Sequence, residues 1–263
     1  MTDSGRGPTV GTQQGKRSIA DVIDRMTGLL DTMPQSLESR RSFLATYLRT
    51  TRAVDAAIRD GEFEDPVWVE AWDVVFADLY LDALENDLSS DPGRSAPRPW
   101  RLAFGAPEEL APLRHVLLGI NAHINYDLPQ ALLGVISDAE FADPVVLAGR
   151  ARDHERIDGV LSGRVAAEDA ELASQQAKSL LDRVLTPLNR RASTRFLREA
   201  RRKVWHNTLE LQQARLRGPE AYAARLAELE VLSAARIADL LAPGQVLLRL
   251  AVAGFGVQLP PEA

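Results

Sequence analysis

Residues 117–129 read LLGINAHINYDLP. Leucine and isoleucine recur here at the three- and four-residue spacing of a helix, which predicts a buried helix over residues 112–136, kinked at Gly119 and Pro129. Four polar side chains lie between the apolar ones: Asn121, His123, Asn125 and Asp127. Buried polar groups need partners, and a metal ion or a polar ligand can supply them. The segment therefore predicts a helical core and the position of a functional site.

Helical spacing of apolar residues continues along nearly the whole chain, and strand-like alternation is almost absent. The chain is therefore predicted to be a single-domain, all-α helical bundle of about eight helices. Residues 1–18 are rich in Gly, Ser, Thr and Gln and are expected to form a disordered tail. The domain is expected to span residues 19–263, with a loop rich in Pro, Ser and Gly at residues 89–99 inside it.

Helix boundaries follow from local signals. Asp65-Pro66 and Asp143-Pro144 each combine a capping side chain with a proline at the first helical position. Pro107 is expected to open the helix that leads to His123. The other helices are predicted over residues 19–30, 35–60, 144–161, 166–185, 193–217 and 220–241, with a final helix or packed extended segment over residues 246–257.

Composition restricts the classes of function. The chain has 263 residues, no cysteine and a net charge of −6. These features exclude disulfides, thiolate zinc sites and cysteine nucleophiles, and they argue against a nucleic-acid partner. No apolar run is long enough to span a membrane, and no targeting signal is evident. The expected partner is a small-molecule substrate or ligand, and the expected location is the cytoplasm. The oligomeric state stays open.

Three of the four histidines are followed by an acid four residues later. Residues at this spacing share one helix face and can bind one metal ion together or bond to each other. The pairs are His123 with Asp127, His154 with Asp158, and His206 with Glu210.

The first interpretation is a metal-dependent hydrolase of a phosphoester or similar polar ester. His123 and Asp127 would bind Zn²⁺, Mn²⁺ or Fe²⁺, which would activate a water molecule. Tyr126 or Arg114 would stabilise the developing negative charge. The remaining predicted site residues are further metal ligands (His154, Asp158, Asp153, His115) and ligand contacts (Asn121, Asn125, Trp100, Trp205).

Two other interpretations need no metal. In one, the cluster of Asn121, His123, Asn125 and Asp127 lines an apolar pocket of a binding protein. The same cluster could serve an acid–base enzyme of the cyclase or isomerase type in bacterial natural-product metabolism, because a histidine held by an aspartate is a reasonable general base. In the other, the cluster is a purely structural network.

Several segments resemble one known family. FADLYLDAL at residues 76–84, PWR at 99–101 and GINAHINYDLP at 119–129 look like the hallmark segments of the DUF5995-like family of actinobacterial helical proteins. The likeness extends from about Ile23 to about Leu211. It implies no activity, since the family has no settled function. Residues 153–161 resemble its next block, except that His154 and Asp158 stand where an aromatic residue and an asparagine are expected.

A weaker likeness concerns the motif of Gly119, His123 and Asp127. It is similar to the zinc-binding helix of the zinc-dependent phospholipase C and P1 nuclease class, whose zinc ions activate water against phosphoesters. That class is normally secreted and richer in histidine than this chain.

Overall fold

The computed structural model describes residues 17–91, 93–110, 112–172 and 190–242. Within these ranges every regular element is helical, so the all-α prediction is confirmed. The elements are α1 (Ile19–Thr32), a 3₁₀ turn (Gln35–Leu37), α2 (Glu38–Arg59), α3 (Pro66–Leu88), α4 (Arg98–Phe104), α5 (Pro112–Ala122), a π-helical turn (His123–Asp127), α6 (Leu128–Val135), α7 (Asp138–Ala142), α8 (Pro144–Leu172), α9 (Arg190–Arg217) and α10 (Pro219–Leu241).

Capping side chains set the helix starts that the sequence predicts. The carboxylate of Asp65 accepts a hydrogen bond from the backbone N–H of Trp68 at 3.0 Å, with Pro66 in the first turn. The carboxylate of Asp143 likewise accepts a hydrogen bond from the backbone N–H of Val145 at the start of α8. Ser18 caps α1, so this residue of the predicted tail belongs to the folded part. Residues 1–16 lie outside the described residues, as does the predicted segment 246–257.

Three boundaries differ from the predictions. Helix α5 starts at Pro112, as the predicted range 112–136 has it, and not at Pro107, which was expected to open it. Helix α8 continues to Leu172, through the predicted break near Leu161, because a long helix tolerates an isolated glycine such as Gly159. Helix α7 was not predicted, although Ser137 and Glu140 form a complete capping box there.

Helices α2 and α3 run antiparallel, which brings the predicted site between them. Arg40 near the start of α2 bonds Asp87 near the end of α3 at 2.7 Å, and Tyr47 meets Tyr80 further along. Helix α5 packs on α2, α6 packs on α3, and the α9–α10 hairpin packs on α6 and α4. The main core therefore contains residues from both sides of the segment 89–99, including Ala122 and Leu128 on either side of the π-helical turn. None of the described helices is long and apolar enough to cross a membrane.

Candidate functional site

Residues 123–127 form a single turn of π-helix, in which the N–H of Leu128 donates to the carbonyl of His123. Pro129 explains the wider turn. Its ring would clash with the carbonyl of Asn125 in a regular α-helix, and it has no N–H to donate. Such turns occur frequently at functional sites. The kink that the sequence predicts is thus a π turn, and it carries both His123 and Asp127.

His123, Asp127 and Trp100 form a buried triad of hydrogen-bonded side chains. Nδ1 of His123 lies 2.9 Å from Oδ2 of Asp127, and the indole N–H of Trp100 donates to the same oxygen at 2.8 Å. All three residues are at least 97% buried. Because an indole N–H can only donate, this oxygen is an acceptor. The tautomer that completes the arrangement has its proton on Nδ1 and a lone pair on Nε2.

Burial determines the charge state of the histidine. It lowers the pKa of His123 below its ordinary value, although the hydrogen bond to Asp127 opposes this shift. Burial also raises the pKa of Asp127, and the hydrogen bonds from His123 and Trp100 oppose that shift in turn. The imidazole of His123 is therefore neutral at neutral pH, as a general base must be.

Aromatic rings surround the imidazole of His123. The ring of Phe76 stacks on it with centroids 3.6 Å apart, and the ring of Tyr47 meets it edge-on at 4.5 Å. Three further rings have centroids within about 6 Å. We call the five rings around His123 the aromatic cage: Phe43, Tyr47, Phe76, Tyr80 and Trp100.

Three polar atoms of the cage and its histidine have no hydrogen-bond partner among the described residues: Nε2 of His123 and the hydroxyl oxygens of Tyr47 and Tyr80. These rings are neighbours, since the centroids of Tyr47 and Tyr80 lie 5.6 Å apart. Buried polar atoms are nearly always paired in folded proteins, so a group of unpaired atoms needs an explanation. A polar group of a ligand, or bound water, would supply the partner.

A shallow recess adjoins the cage. Phe43, Trp100, His115 and Gly119 are among the residues that line it. Gly119 is required there, because a Cβ atom at this position would collide with the ring of Phe43. Within the described part of the chain, Nδ1 of His115 has no partner. The predicted site residue His115 thus lines the recess together with Phe43 and Trp100.

Four other predicted site residues lie around the π turn but bond elsewhere. The amide of Asn121 donates to the carbonyl of Leu117, and that of Asn125 donates to Asn121. Tyr126 packs in a second core cluster with residues of α9 and α10. The guanidinium of Arg114 donates to the carbonyl of Leu240 at 3.0 Å.

The predicted ligands on α8 lie in other surroundings. The carboxylate of Asp153 accepts the backbone N–H groups of Glu64 and Asp65, both at 2.8 Å, and so fixes the chain before α3. The ring of His154 lies between those of Trp72 and Trp205, at 5.5 and 5.6 Å. The predicted ligand contact Trp205 thus packs beside His154 and is not part of the aromatic cage. The side chain of Asp158 lies outside the described residues.

A protein metal site of the kind that the first interpretation requires needs at least three converging ligands. The part of the chain that the structure describes contains no group of three or more His, Cys, Asp or Glu side chains that could hold a metal ion. His206 of the third pair is exposed. His123 and Asp127 therefore have no third ligand among the described residues.

Sequence reasoning missed the residues that α2 and α3 bring to the site. Phe43 and Tyr47 on α2, and Phe76 and Tyr80 on α3, are two aromatic pairs at a spacing of four residues. That spacing indicates a shared helix face, but only tertiary packing shows that both faces meet His123. The buried Asp73, which follows Trp72 in an apolar helix, was missed too.

The comparisons with known proteins identify a family without an activity. A family model described as a family of unknown function, DUF5995, matches residues 19–243. No curated protein and no solved structure matches the chain. The resemblance of the sequence to the DUF5995 family is therefore confirmed.

Proposed function

Because the chain belongs to the DUF5995 family, whose function is unknown, we propose a function from the geometry of its site. The protein binds a small, largely apolar molecule in the aromatic cage and moves a proton on it by acid–base chemistry, as isomerases and cyclases do. One observation carries this proposal: Nε2 of His123 and the hydroxyls of Tyr47 and Tyr80 are buried together without partners among the described residues. They offer a base and two hydrogen-bond donors to one bound group.

His123 is the base in this proposal. Its Nε2 lone pair takes a proton from an acidic carbon beside a carbonyl, and the carboxylate of Asp127 stabilises the imidazolium that forms. The electrons of the broken C–H bond move onto the carbonyl oxygen. The hydroxyls of Tyr47 and Tyr80 donate to that oxygen as it becomes negative. Where a carbon–carbon double bond is conjugated with the enolate, return of the proton to the far carbon of that bond completes an isomerisation.

The walls of the cage determine the class of molecule. Aromatic rings provide apolar contact area and exclude water, which favours a ligand with one polar group on an apolar body. Phe43 and Trp100 belong both to the cage and to the lining of the recess beside His115. Displacement of these two rings opens a path from the recess to His123, a motion of the kind that gates many active sites.

The test uses acetophenone, a small aromatic ketone, as a probe in D₂O. Nuclear magnetic resonance (NMR) follows the exchange of its methyl protons for deuterium. We expect the protein to accelerate this exchange, and His123→Phe to reduce the acceleration by about 100-fold or more, since positioned bases contribute that much. The ring of phenylalanine keeps the stacking on Phe76 but lacks both nitrogens.

His206→Phe is the matched control, because His206 is exposed and lies outside the cage. It should exchange acetophenone protons at the rate of the unmodified protein. Ethylbenzene, which has the same shape without the carbonyl, should compete with acetophenone only weakly. An exchange rate that is the same without protein, or that survives in His123→Phe, would contradict the proposal.

A further inference from the structure

Polar side chains continue from the aromatic cage along the interface of α2 and α3. Thr51 follows Tyr47 by one turn of α2, and Asp73 precedes Phe76 by one turn of α3. We call Tyr47, Thr51 and Asp73 the polar track. Each carries one buried oxygen atom without a hydrogen-bond partner among the described residues: the hydroxyls of Tyr47 and Thr51, and Oδ2 of Asp73.

The antiparallel register places these three side chains near one another along the interface. Arg40 bonds Asp87, and Tyr47 meets both Tyr80 and Phe76. One turn after Tyr47, Thr51 is level with Phe76, and Asp73 lies within one further turn of α3. The charge of Asp73 is also the strongest of the charges that act on the hydroxyl of Tyr47.

Thr51, in the middle of the track, is completely buried, whereas Asp73 keeps 8% and Tyr47 6% of its surface exposed. Asp73 is the most exposed of the three residues and carries the carboxyl group, and Tyr47 lies beside the imidazole of His123. A row of unpaired polar atoms between solvent and a buried base is the setting in which proteins hold bound water.

Burial and the neighbouring charges both raise the pKa of the Asp73 carboxyl group. Asp55 on α2 and Glu70 on α3 face it, and both are acidic. Of the described residues, none with a positive charge contributes to its pKa shift. Burial, with these two neighbours, raises the pKa of Asp73 to about 7. A group with such a pKa both gives and takes protons near neutral pH.

From these observations we propose that the polar track is a proton route between solvent and His123, completed by bound water. The inference rests on the proposed function, in which His123 gains and loses a proton at Nε2. Asp73 takes a proton from solvent as it gives one to the track. Thr51 and Tyr47 each pass on one proton for every proton received, so neither accumulates charge. Thr51 and Asp73 are positioning residues, because they act through His123 and not on the bound molecule, whereas Tyr47 also donates to the bound group in the proposed function.

The test measures how fast the hydroxyl proton of Tyr47 exchanges with water, by NMR on the intact protein without ligand. Tyr80 is the internal comparison. Its hydroxyl oxygen is buried like that of Tyr47 and also lacks a partner among the described residues, and its ring lies 5.6 Å from that of Tyr47, but Tyr80 does not adjoin Thr51 or Asp73 in the register. We expect the Tyr47 hydroxyl to exchange faster than the Tyr80 hydroxyl by about tenfold or more, since the latter waits for rare opening of the core.

Four variants sharpen the test. Thr51→Val and Asp73→Asn should slow exchange at Tyr47 by about tenfold or more, because exchange then also depends on opening of the core. Thr51→Ser keeps the hydroxyl and should preserve the fast rate. Asp82→Asn removes a mostly exposed carboxylate of α3 outside the track and should change nothing. The buried indole N–H of Trp100 reports core opening in every variant.

Equal exchange at Tyr47 and Tyr80 would overturn the proton route. So would slowing in Thr51→Ser, or a parallel change at Tyr47 and Trp100, which would indicate loosened packing. The acetophenone assay tests His123 as a base, whereas this measurement needs no ligand. The route can therefore fail while the proposed function stands, and the reverse also holds.

Discussion

The imidazole of His123 lies flat against the ring of Phe76, with centroids 3.6 Å apart and planes that differ by 4°. This stacking fixes the plane of the imidazole. Since Nδ1 points to Asp127, Nε2 must point away from it, toward the rest of the aromatic cage. The orientation of the proposed base is therefore determined by packing between two helices and by one hydrogen bond.

Removing the shared acceptor should destabilise the protein strongly. Asp127→Ala leaves the indole N–H of Trp100 and the Nδ1–H of His123 buried without a partner. We expect the free energy of unfolding, measured with urea, to fall by about 3–5 kcal/mol. Asp138→Ala is the control, because Asp138 pairs with Arg215 at the surface and should cost less than about 1 kcal/mol. Equal losses in both variants would contradict a buried role for Asp127.

The glycine next to the cage should not tolerate a methyl group. In Gly119→Ala the new Cβ collides with the ring of Phe43, so we expect a loss of about 1–3 kcal/mol in the free energy of unfolding. Gly28→Ala provides the contrast. The same methyl group meets open space within α1, and it should stabilise the protein by about 0.5–1 kcal/mol. A neutral Gly119→Ala would mean that α2 and α5 are further apart than described.

Stability should depend on pH through Asp73. Its pKa is about 7 in the folded protein, against an ordinary value of 3.8. Between these values the folded chain holds a proton that the unfolded chain has lost, so stability falls as the pH rises from about 4 to about 7. Asparagine has no such proton to lose. At pH 8 the free energy of unfolding of Asp73→Asn should therefore exceed that of the unmodified protein by on the order of 2–4 kcal/mol. The gain should vanish near pH 4; a difference that is independent of pH would refute this assignment.

The metal content of the protein separates the two main interpretations. The described residues offer no third ligand to His123 and Asp127. We therefore expect elemental mass spectrometry of protein purified without chelator to find far less than one equivalent of Zn, Mn or Fe. His123→Ala should not change that content. Near-stoichiometric metal that is lost in His123→Ala would restore the hydrolase interpretation.

Much of the fold could be predicted because its signals are local. The Asp65-Pro66 start, the position of α10 and the predominance of helix follow from spacing and capping within a few residues. The break at residues 123–127 could be predicted only as a kink. Whether Pro129 produces a bend or a π turn depends on the packing of the helices on either side.

The site itself was predicted in part. The bond between His123 and Asp127 follows from their spacing of four residues, and the structure contains it. His154 was predicted as a further metal ligand, but its ring packs between two tryptophans. It gave no indication of Tyr47 or Asp73, because contacts between α2, α3 and α5 depend on how long helices align, and single-chain periodicity does not encode that alignment.

The most direct test of the account is the protonation state of His123 at neutral pH. With only four histidines in the chain, ¹⁵N-histidine labelling gives an NMR spectrum in which each imidazole can be assigned by substitution. The account predicts a neutral ring with its proton on Nδ1 and an unprotonated Nε2, and a shift of the Nε2 signal when acetophenone is added. A proton on Nε2 at neutral pH, in either the neutral or the charged ring, would contradict it.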